Sequence, residues 1–175
     1  MPVAADFRTY TFDRKRVEAA GKSLGKDPYW RLYAAENILR VIVNSVLSAQ
    51  LGVGWWTTAV DQNVQGSVTR FRERYAARPW HSTPGKHEIY YTFLSDLADI
   101  MRANSHVFLP LVPDVDAWIA KVEQVALPRN IVGHMNWLTP TDRKRIEVFQ
   151  SDVTALAQQL ESGGPGRPPL AMRVP

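Results

Sequence analysis

The chain contains no cysteine among its 175 residues, and it has no long uninterrupted apolar run. The first absence excludes disulfide bonds, thiolate metal sites and cysteine nucleophiles, and it fits a reducing cytoplasm. The longest apolar stretch, Ile38 to Leu51, is interrupted by Arg40 and four other polar residues, so it predicts a buried helix rather than a bilayer segment. No signal peptide is recognisable. We therefore expect a cytoplasmic protein with no membrane partner.

Strand-type alternation is also nearly absent, because apolar residues recur at intervals of three and four along most of the chain. This spacing predicts an all-α protein of about five to seven helices. With 45% hydrophobic and 22% charged residues, the composition predicts one domain over residues 1–161. The glycine- and proline-rich segment 162–175 predicts a flexible tail. The predicted helices cover residues 13–24, 28–51, 57–77, 87–101, 115–125, 128 onward and 140–160.

Acidic residues are too few to balance the basic ones, with 17 Asp or Glu against 21 Lys or Arg and a net charge of +4. The first eighty residues hold 12 basic and 7 acidic residues, so the positive excess lies there. Arg70, Arg72 and Arg74 are candidate contacts with the phosphates of a nucleic acid. A solvated helix face without a ligand is the alternative, and the charge pattern leaves both open.

The densest group of chemically useful side chains lies in the segment Pro128 to Met135, which contains Arg129, Asn130 and His134. A proline fits the first position of a helix, so the segment predicts a helix that begins at Pro128 and offers its free N–H groups to a phosphate. An imidazole transfers protons, a guanidinium holds a phosphate, and an amide orients either group. Together they suit in-line cleavage of RNA by its own 2′-hydroxyl, which requires neither a metal nor a cofactor.

This arrangement of an arginine, an asparagine and, four residues later, a histidine resembles the motif of the HEPN superfamily, which is named for its occurrence in higher eukaryotes and prokaryotes. The segment Trp30 to Arg40 looks like the long early helix of such domains, with the polar Glu36 on an otherwise apolar face. The resemblance extends roughly from residue 28 to residue 160. It implies an up-and-down helical bundle that dimerises so that the two motif helices face each other across a cleft. By position, Arg129 and His134 match the catalytic pair of the family, and Asn130, which we also count as a candidate catalytic residue, matches its usual polar residue after the arginine.

Many members of the family are metal-independent endoribonucleases of toxin–antitoxin, abortive-infection or CRISPR systems. The resemblance therefore implies RNA as the substrate, a homodimer with a composite active site, an antitoxin protein as a further partner, and no cofactor. Glu36 would orient Arg129 or His134, or it would form a structural ion pair with Arg40, and the sequence leaves both roles open. Trp137 is a candidate base or dimer contact. The alternative function is a non-catalytic helical module that dimerises or binds a nucleotide, an RNA or a partner protein.

Overall fold

The elements with regular hydrogen bonding are all helical in residues 5–175, which are the residues that the computed structural model describes. The predicted all-α class is thereby confirmed, while the first four residues of the predicted domain lie outside the described range. The α-helices in this range are α1 Arg14–Leu24, α2 Trp30–Leu51, α3 Trp55–Ala59, α4 Gln62–Ala76, α5 Leu94–Ala103, α6 Ser105–Phe108, α7 Val115–Gly133 and α8 Pro140–Ser162. Short 3₁₀ turns occupy Phe7–Thr9 and Glu88–Tyr91. Within residues 5–175, no helix is long and apolar enough to cross a membrane.

The core lies inside a ring of four helices formed by α2, α5, α7 and α8. Each of these helices packs on the next one in chain order, and α8 closes the ring against α2. Burying one large apolar side chain contributes about 1.5–3 kcal/mol, so the inward stripes of the four helices stabilise the ring. The stripe of α8 follows the predicted spacing and consists of Ile146, Phe149, Val153, Leu156 and Leu160.

The chain passes from α1 into α2 without leaving the helix, although Pro28 lies at the junction. Residues Gly25–Tyr29 form one π-turn, a wider turn of the kind often found near functional sites. The predicted helix start at Pro28 is therefore wrong, and the carboxylate of the preceding Asp27 accepts a hydrogen bond of 2.9 Å from Nε of Arg31. The junction leads directly into α2 and leaves the rings of Tyr29 and Tyr33 exposed on the surface.

The second predicted helix start, at Pro128, is also wrong. Helix α7 continues through Pro128 and ends only at Gly133. A proline inside a helix costs about 3 kcal/mol, because it removes one backbone hydrogen bond and crowds the preceding turn. Here the buried stripe of Val125, Pro128 and Val132 runs without interruption across the proline, and burying that stripe offsets the cost. The motif therefore occupies the last turn of a long helix rather than the first turn of a short one.

Two other predicted helices are interrupted by capping side chains. Asp61 accepts a hydrogen bond from the backbone N–H of Asn63 at 2.8 Å, which separates α3 from α4. In the predicted helix 87–101, the 3₁₀ turn is followed by extended backbone at Thr92 and Phe93. Helix α5 begins after this bend, where Asp96 accepts from the N–H of Phe93 at 2.7 Å. The bend allows the loop before α5 to reach α2.

The segment after Ser162, where the sequence predicts a flexible tail, packs back on the bundle in the structure. Its Leu170 is buried, and the N–H of Leu170 donates to the carbonyl of Leu160 at 2.8 Å. The backbone of Arg173 then bonds to α2: its N–H donates to Oγ of Ser45 at 2.8 Å, and its carbonyl accepts from Nδ2 of Asn44 at 2.9 Å. These bonds connect the end of the chain to both α8 and α2.

Candidate active site

Arg129 in the last turn of α7 is held against α2 by a two-pronged ion pair with Glu36. The Nε atom of Arg129 donates to Oε2 of Glu36 at 3.1 Å, and Nη2 donates to Oε1 at 3.3 Å. Among the described residues, no atom accepts a hydrogen bond from the remaining nitrogen, Nη1. This atom would lie 3.5 Å from a side-chain carbon at Gly133, so the missing side chain of the glycine leaves room beside it.

Glu36 also pairs with Arg40, one turn further along α2. The Nη2 atom of Arg40 lies 2.5 Å from Oε1 of Glu36, and both side chains are about nine-tenths buried. One carboxylate is therefore shared by two guanidinium groups, and the cluster carries a net charge of +1. Both roles that the sequence left open for Glu36, the contact with Arg129 and the ion pair with Arg40, are present at once. Whether either serves catalysis remains a prediction.

Arg40 fixes the loop before α5 in its place beside the cluster. Its Nε donates to the carbonyl of Ile89 at 3.2 Å, and its Nη2 donates to the carbonyl of Thr92 at 3.0 Å. Charged donors make stronger hydrogen bonds than neutral ones, so these contacts hold the backbone of the 3₁₀ turn firmly against α2. This 3₁₀ turn places Tyr90 beside the space above Arg129.

A cleft of about 760 Å³ opens above Arg129, between α2, the end of α7 and the loop before α5. Its walls combine aromatic rings with polar groups, as ligand sites commonly do. Tyr29 and Tyr33 stand at one side with 56% and 66% of their surfaces exposed. The residues lining the cleft include Tyr29, Tyr33, Glu36, Asn37, Arg40, Gly85, Tyr90, Arg129, Gly133 and Met135.

A second, smaller depression of about 220 Å³ adjoins the cleft. Arg40, Pro84, Tyr90 and Arg129 line both spaces and so form the wall that the two share. The guanidinium carbon of Arg129 is 5.9 Å from the ring centre of Phe93, which lies in the smaller depression. The other aromatic residues of that depression are Phe71, Tyr75 and Tyr91.

Asn130 and His134 are exposed and lie on a different side of α7 from the cleft. A helix advances about 100° per residue, so His134 is about 140° around the axis from Arg129, while Asn130 and His134 share one face. Within residues 5–175, neither side chain makes a hydrogen bond to a distant residue. His134 directly follows the last residue of α7, so it lies at a helix end rather than near a helix start. The expected supply of free N–H groups for a phosphate is therefore absent at this motif.

The predicted RNA-binding arginines of α4 are all exposed, but they differ in their neighbours. Arg72 forms an ion pair with Glu88 of the 3₁₀ turn, which neutralises its charge. Arg70 and Arg74 have no ion-pair partner in the described part of the chain. The guanidinium of Arg74 lies 5.4 Å from the ring centre of Phe71, at the smaller depression. Arg74 is therefore a cation available beside the smaller depression, and Arg70 lies one turn before it on α4.

Trp137 lies outside both depressions around Arg129. Its ring is covered by the guanidinium of Arg143, whose carbon is 4.3 Å from the ring centre. The ring also lines a separate, mostly apolar cavity of about 360 Å³ against α1. A contact between Trp137 and a base remains a prediction, and the structure gives this residue a packing role.

The chain matches no family model, no curated protein and no solved structure. Within residues 5–175, no three His, Cys, Asp or Glu side chains are grouped so that they could hold a metal ion. The motif and the geometry of the cleft are therefore the observations that bear on function.

Sequence reasoning missed the aromatic walls of the two depressions. The exposed pair Tyr29 and Tyr33, four residues apart on a helix whose other face is buried, was a detectable signal because such residues stand next to each other. The position of Tyr90 had no such signal. It depends on the loop before α5 reaching α2, and that long-range contact is made by Arg40.

His87 is a structural residue at the start of the 3₁₀ turn. Its Nδ1 accepts a hydrogen bond from the N–H of Ile89 at 3.1 Å, and its ring stacks on Trp55 with ring centres 5.5 Å apart. Burial lowers the pKa of His87 below its usual value, an effect that Glu88 opposes and Arg72 reinforces. Protonation would remove the acceptor at Nδ1, so the folded state favours the neutral ring.

We expect the free energy of unfolding to fall as the pH decreases through the region below about 6.5, the ordinary pKa of histidine. The pKa of His87 is lower in the folded state, so the unfolded chain binds the proton first as the pH falls. The contribution of His87 to stability is therefore complete above the pKa of the unfolded chain, and it is lost as the pH falls toward the pKa of the folded state. The variant His87→Asn keeps a capping acceptor but does not titrate. Urea unfolding of both proteins between pH 5 and 8 measures the difference. A stability difference that does not change with pH contradicts this role.

Proposed function

We propose that this chain is a metal-independent endoribonuclease of the HEPN type that acts as a homodimer. In this reaction the 2′-oxygen of one nucleotide attacks the adjacent phosphorus, and the bond from phosphorus to the 5′-oxygen of the next nucleotide breaks. The products are a 2′,3′-cyclic phosphate and a 5′-hydroxyl. His134 takes the proton from the 2′-hydroxyl or gives one to the leaving oxygen, and Arg129 stabilises the charge on the five-coordinate phosphorus.

The observation that carries this proposal is the way in which Glu36 holds Arg129. Two nitrogens of the guanidinium are bonded to the carboxylate, and Nη1 is left beside Gly133 at the edge of the cleft. A cation fixed in this way needs no rearrangement when negative charge develops on a phosphate, and such preorganisation is a major source of catalysis.

The separation of His134 from Arg129 supports a composite site. A phosphate bound at Arg129 lies on one side of α7, and His134 of the same chain lies on another. In a dimer whose α7 helices face each other, His134 of the partner subunit would complete the site. Asn130 shares the face of His134 and would orient either the imidazole or the phosphate.

An endoribonuclease of this type would act in the cytoplasm, in a toxin–antitoxin, abortive-infection or other phage-defence setting. Its activity on cellular RNA would then have to be controlled, either by a neutralising antitoxin protein or by a specific activator. These elements of the proposal come from the resemblance of the motif and not from the geometry of the cleft.

The second candidate function is a non-catalytic module that dimerises or binds a nucleotide or an RNA. The observation in its favour is the same separation of Asn130 and His134 from the cleft. In that case Arg129 and Glu36 serve to join α7 to α2, and the cleft binds a ligand without cleaving it. Cleavage of RNA by the purified protein distinguishes the two functions.

We expect the purified protein to cleave a labelled oligoribonucleotide in the presence of EDTA, and to lose cleavage at any position that carries a single 2′-deoxy sugar. The deoxy sugar lacks the nucleophile, whereas the chelator removes only metal ions. The matched control is the same oligonucleotide with the deoxy sugar one position further along. Loss of all cleavage in EDTA, or cleavage after a deoxy sugar, contradicts the proposed mechanism.

A further inference from the structure

The proposed cleavage mechanism assigns no role to the two aromatic depressions that Arg129 lines. The larger has exposed Tyr29 and Tyr33 on its α2 side, and the smaller is bounded by Phe71 and Tyr75 of α4. Both contain aromatic rings that meet solvent, and stacking of bases on such rings is the common way in which proteins hold unpaired nucleotides. The two spaces are neighbours because Arg129 and Tyr90 belong to both.

The ring of Tyr90 in this wall is fixed by backbone packing. A side-chain carbon at Gly85 would lie 2.3 Å from the Cδ2 atom of Tyr90, so only glycine permits the loop to approach the ring so closely. The carbonyl of Gly85 accepts a hydrogen bond of 3.1 Å from the hydroxyl of Tyr91, which holds the glycine in this position. The ring of Tyr90 is therefore held rigidly as part of the wall that the two depressions share.

The charge at this wall fits a phosphate. Glu36, Arg40 and Arg129 together carry a net charge of +1, and Nη1 of Arg129 has no acceptor among the described residues. Beside the smaller depression, Arg74 adds a positive charge without an ion-pair partner in residues 5–175, and Arg70 lies one turn before it on α4. The phosphates of an RNA strand that runs from the cleft across this wall toward α4 would therefore lie next to positively charged side chains.

We propose that the two depressions are base subsites for successive nucleotides of one RNA strand, with the phosphate between them bound at Arg129. This inference rests on the proposed function, and it names the residues that hold the substrate. One base stacks in the larger subsite against Tyr33 and its neighbours, and the other enters the smaller subsite beside Tyr75. The strand continues toward Arg70 and Arg74. A duplex cannot place two successive bases in these subsites, because its bases are paired and stacked inside the helix.

The test measures binding and not cleavage, using a fluorescent 2′-O-methyl tetraribonucleotide. Methylation blocks the attacking oxygen, so the wild-type protein binds this probe without cutting it. We expect Tyr33→Ala and Tyr75→Ala each to weaken binding by about tenfold, the usual effect of losing one base–aromatic stack. Tyr33→Phe keeps the ring and should bind as the wild type does. Phe12→Ala removes a ring that is 81% exposed and lies outside both depressions, and it should also have no effect.

Abasic probes then assign each subsite to one base. Removing one of the two central bases should abolish the effect of Tyr33→Ala and preserve that of Tyr75→Ala, and removing the other should do the reverse. Wild-type affinity in both alanine variants, equal affinity for a duplex probe, or no measurable binding overturns the subsites. If the probes behave as expected but RNA is never cleaved, the subsites stand and the nuclease proposal fails. If RNA is cleaved but both alanine variants bind normally, the subsites alone are wrong.

Discussion

Replacing His134 by alanine is expected to lower the rate of RNA cleavage by about 10²–10⁴-fold, the usual contribution of one general acid or base. The same change should leave the free energy of unfolding within about 0.5 kcal/mol of the wild-type value, because the side chain is exposed and contributes no hydrogen bond to the described fold. Single-turnover cleavage of a labelled oligoribonucleotide measures the first quantity, and urea unfolding measures the second.

The matched control is His106→Ala, which removes another exposed histidine, on α6 and away from the cleft. Its cleavage rate should equal that of the wild type. If His134→Ala cleaved RNA at the wild-type rate, His134 would have no catalytic role. If His134→Ala instead lost much of its free energy of unfolding, the role of His134 would be structural.

Mixing two inactive variants extends this prediction to the composite site. In a heterodimer of Arg129→Ala and His134→Ala subunits, one of the two sites contains both an intact Arg129 and an intact His134 if the site is shared between subunits. The isolated mixed dimer should then have about half of the wild-type activity. If each site uses residues of one chain only, no activity returns. Co-expression with two different tags supplies the mixed dimer for this measurement.

Replacing Glu36 by alanine is expected to lower the free energy of unfolding by about 3 kcal/mol. Glu36 is 8% exposed, and its carboxylate pairs with the guanidinium groups of both Arg40 and Arg129, so its removal leaves two positive charges close together and partly desolvated. Removing one partner of a buried ion pair costs about 3–5 kcal/mol, and the partial exposure of Arg129 places this case at the lower end. For a chain of this size, the Tm should fall by about 6–12 °C.

An exposed ion pair provides the control for this prediction. Glu123 pairs with Arg102, and both side chains are about half exposed. Glu123→Ala should therefore change the free energy of unfolding by less than about 1 kcal/mol. Thermal unfolding of both variants followed by circular dichroism gives the comparison. Equal stability of Glu36→Ala and Glu123→Ala would show that the buried cluster does not stabilise the junction of α2 and α7.

The helical class and the two longest helices could be predicted from the sequence, because a period of three to four in apolar residues is a local signal. Helix α8 shows this well: Thr139 and Pro140 mark its start, and its buried stripe follows without interruption. The errors at Pro28 and Pro128 share one cause. A proline is compatible with the first turn of a helix, but it also occurs inside one when buried residues on both sides continue the same face.

The candidate site was only partly predictable for a related reason. Arg129 and Glu36 were both identified, yet the sequence does not show that they meet, since 93 residues separate them along the chain. The placement of Tyr90 depends on Gly85 and on the hydrogen bonds from Arg40 to the loop. Such long-range contacts are properties of the folded chain and have no counterpart in local spacing.

The central claim is the chemistry at Arg129 and His134, and the ends of the RNA fragments test it most directly. The measurement is mass spectrometry of the fragments that the wild-type protein produces from a defined oligoribonucleotide in EDTA. Attack by the 2′-oxygen predicts a 2′,3′-cyclic phosphate on every new 3′ end and a hydroxyl on every new 5′ end. Fragments with a 5′-phosphate and a 3′-hydroxyl would show that water attacks the phosphorus instead, and they would contradict the mechanism.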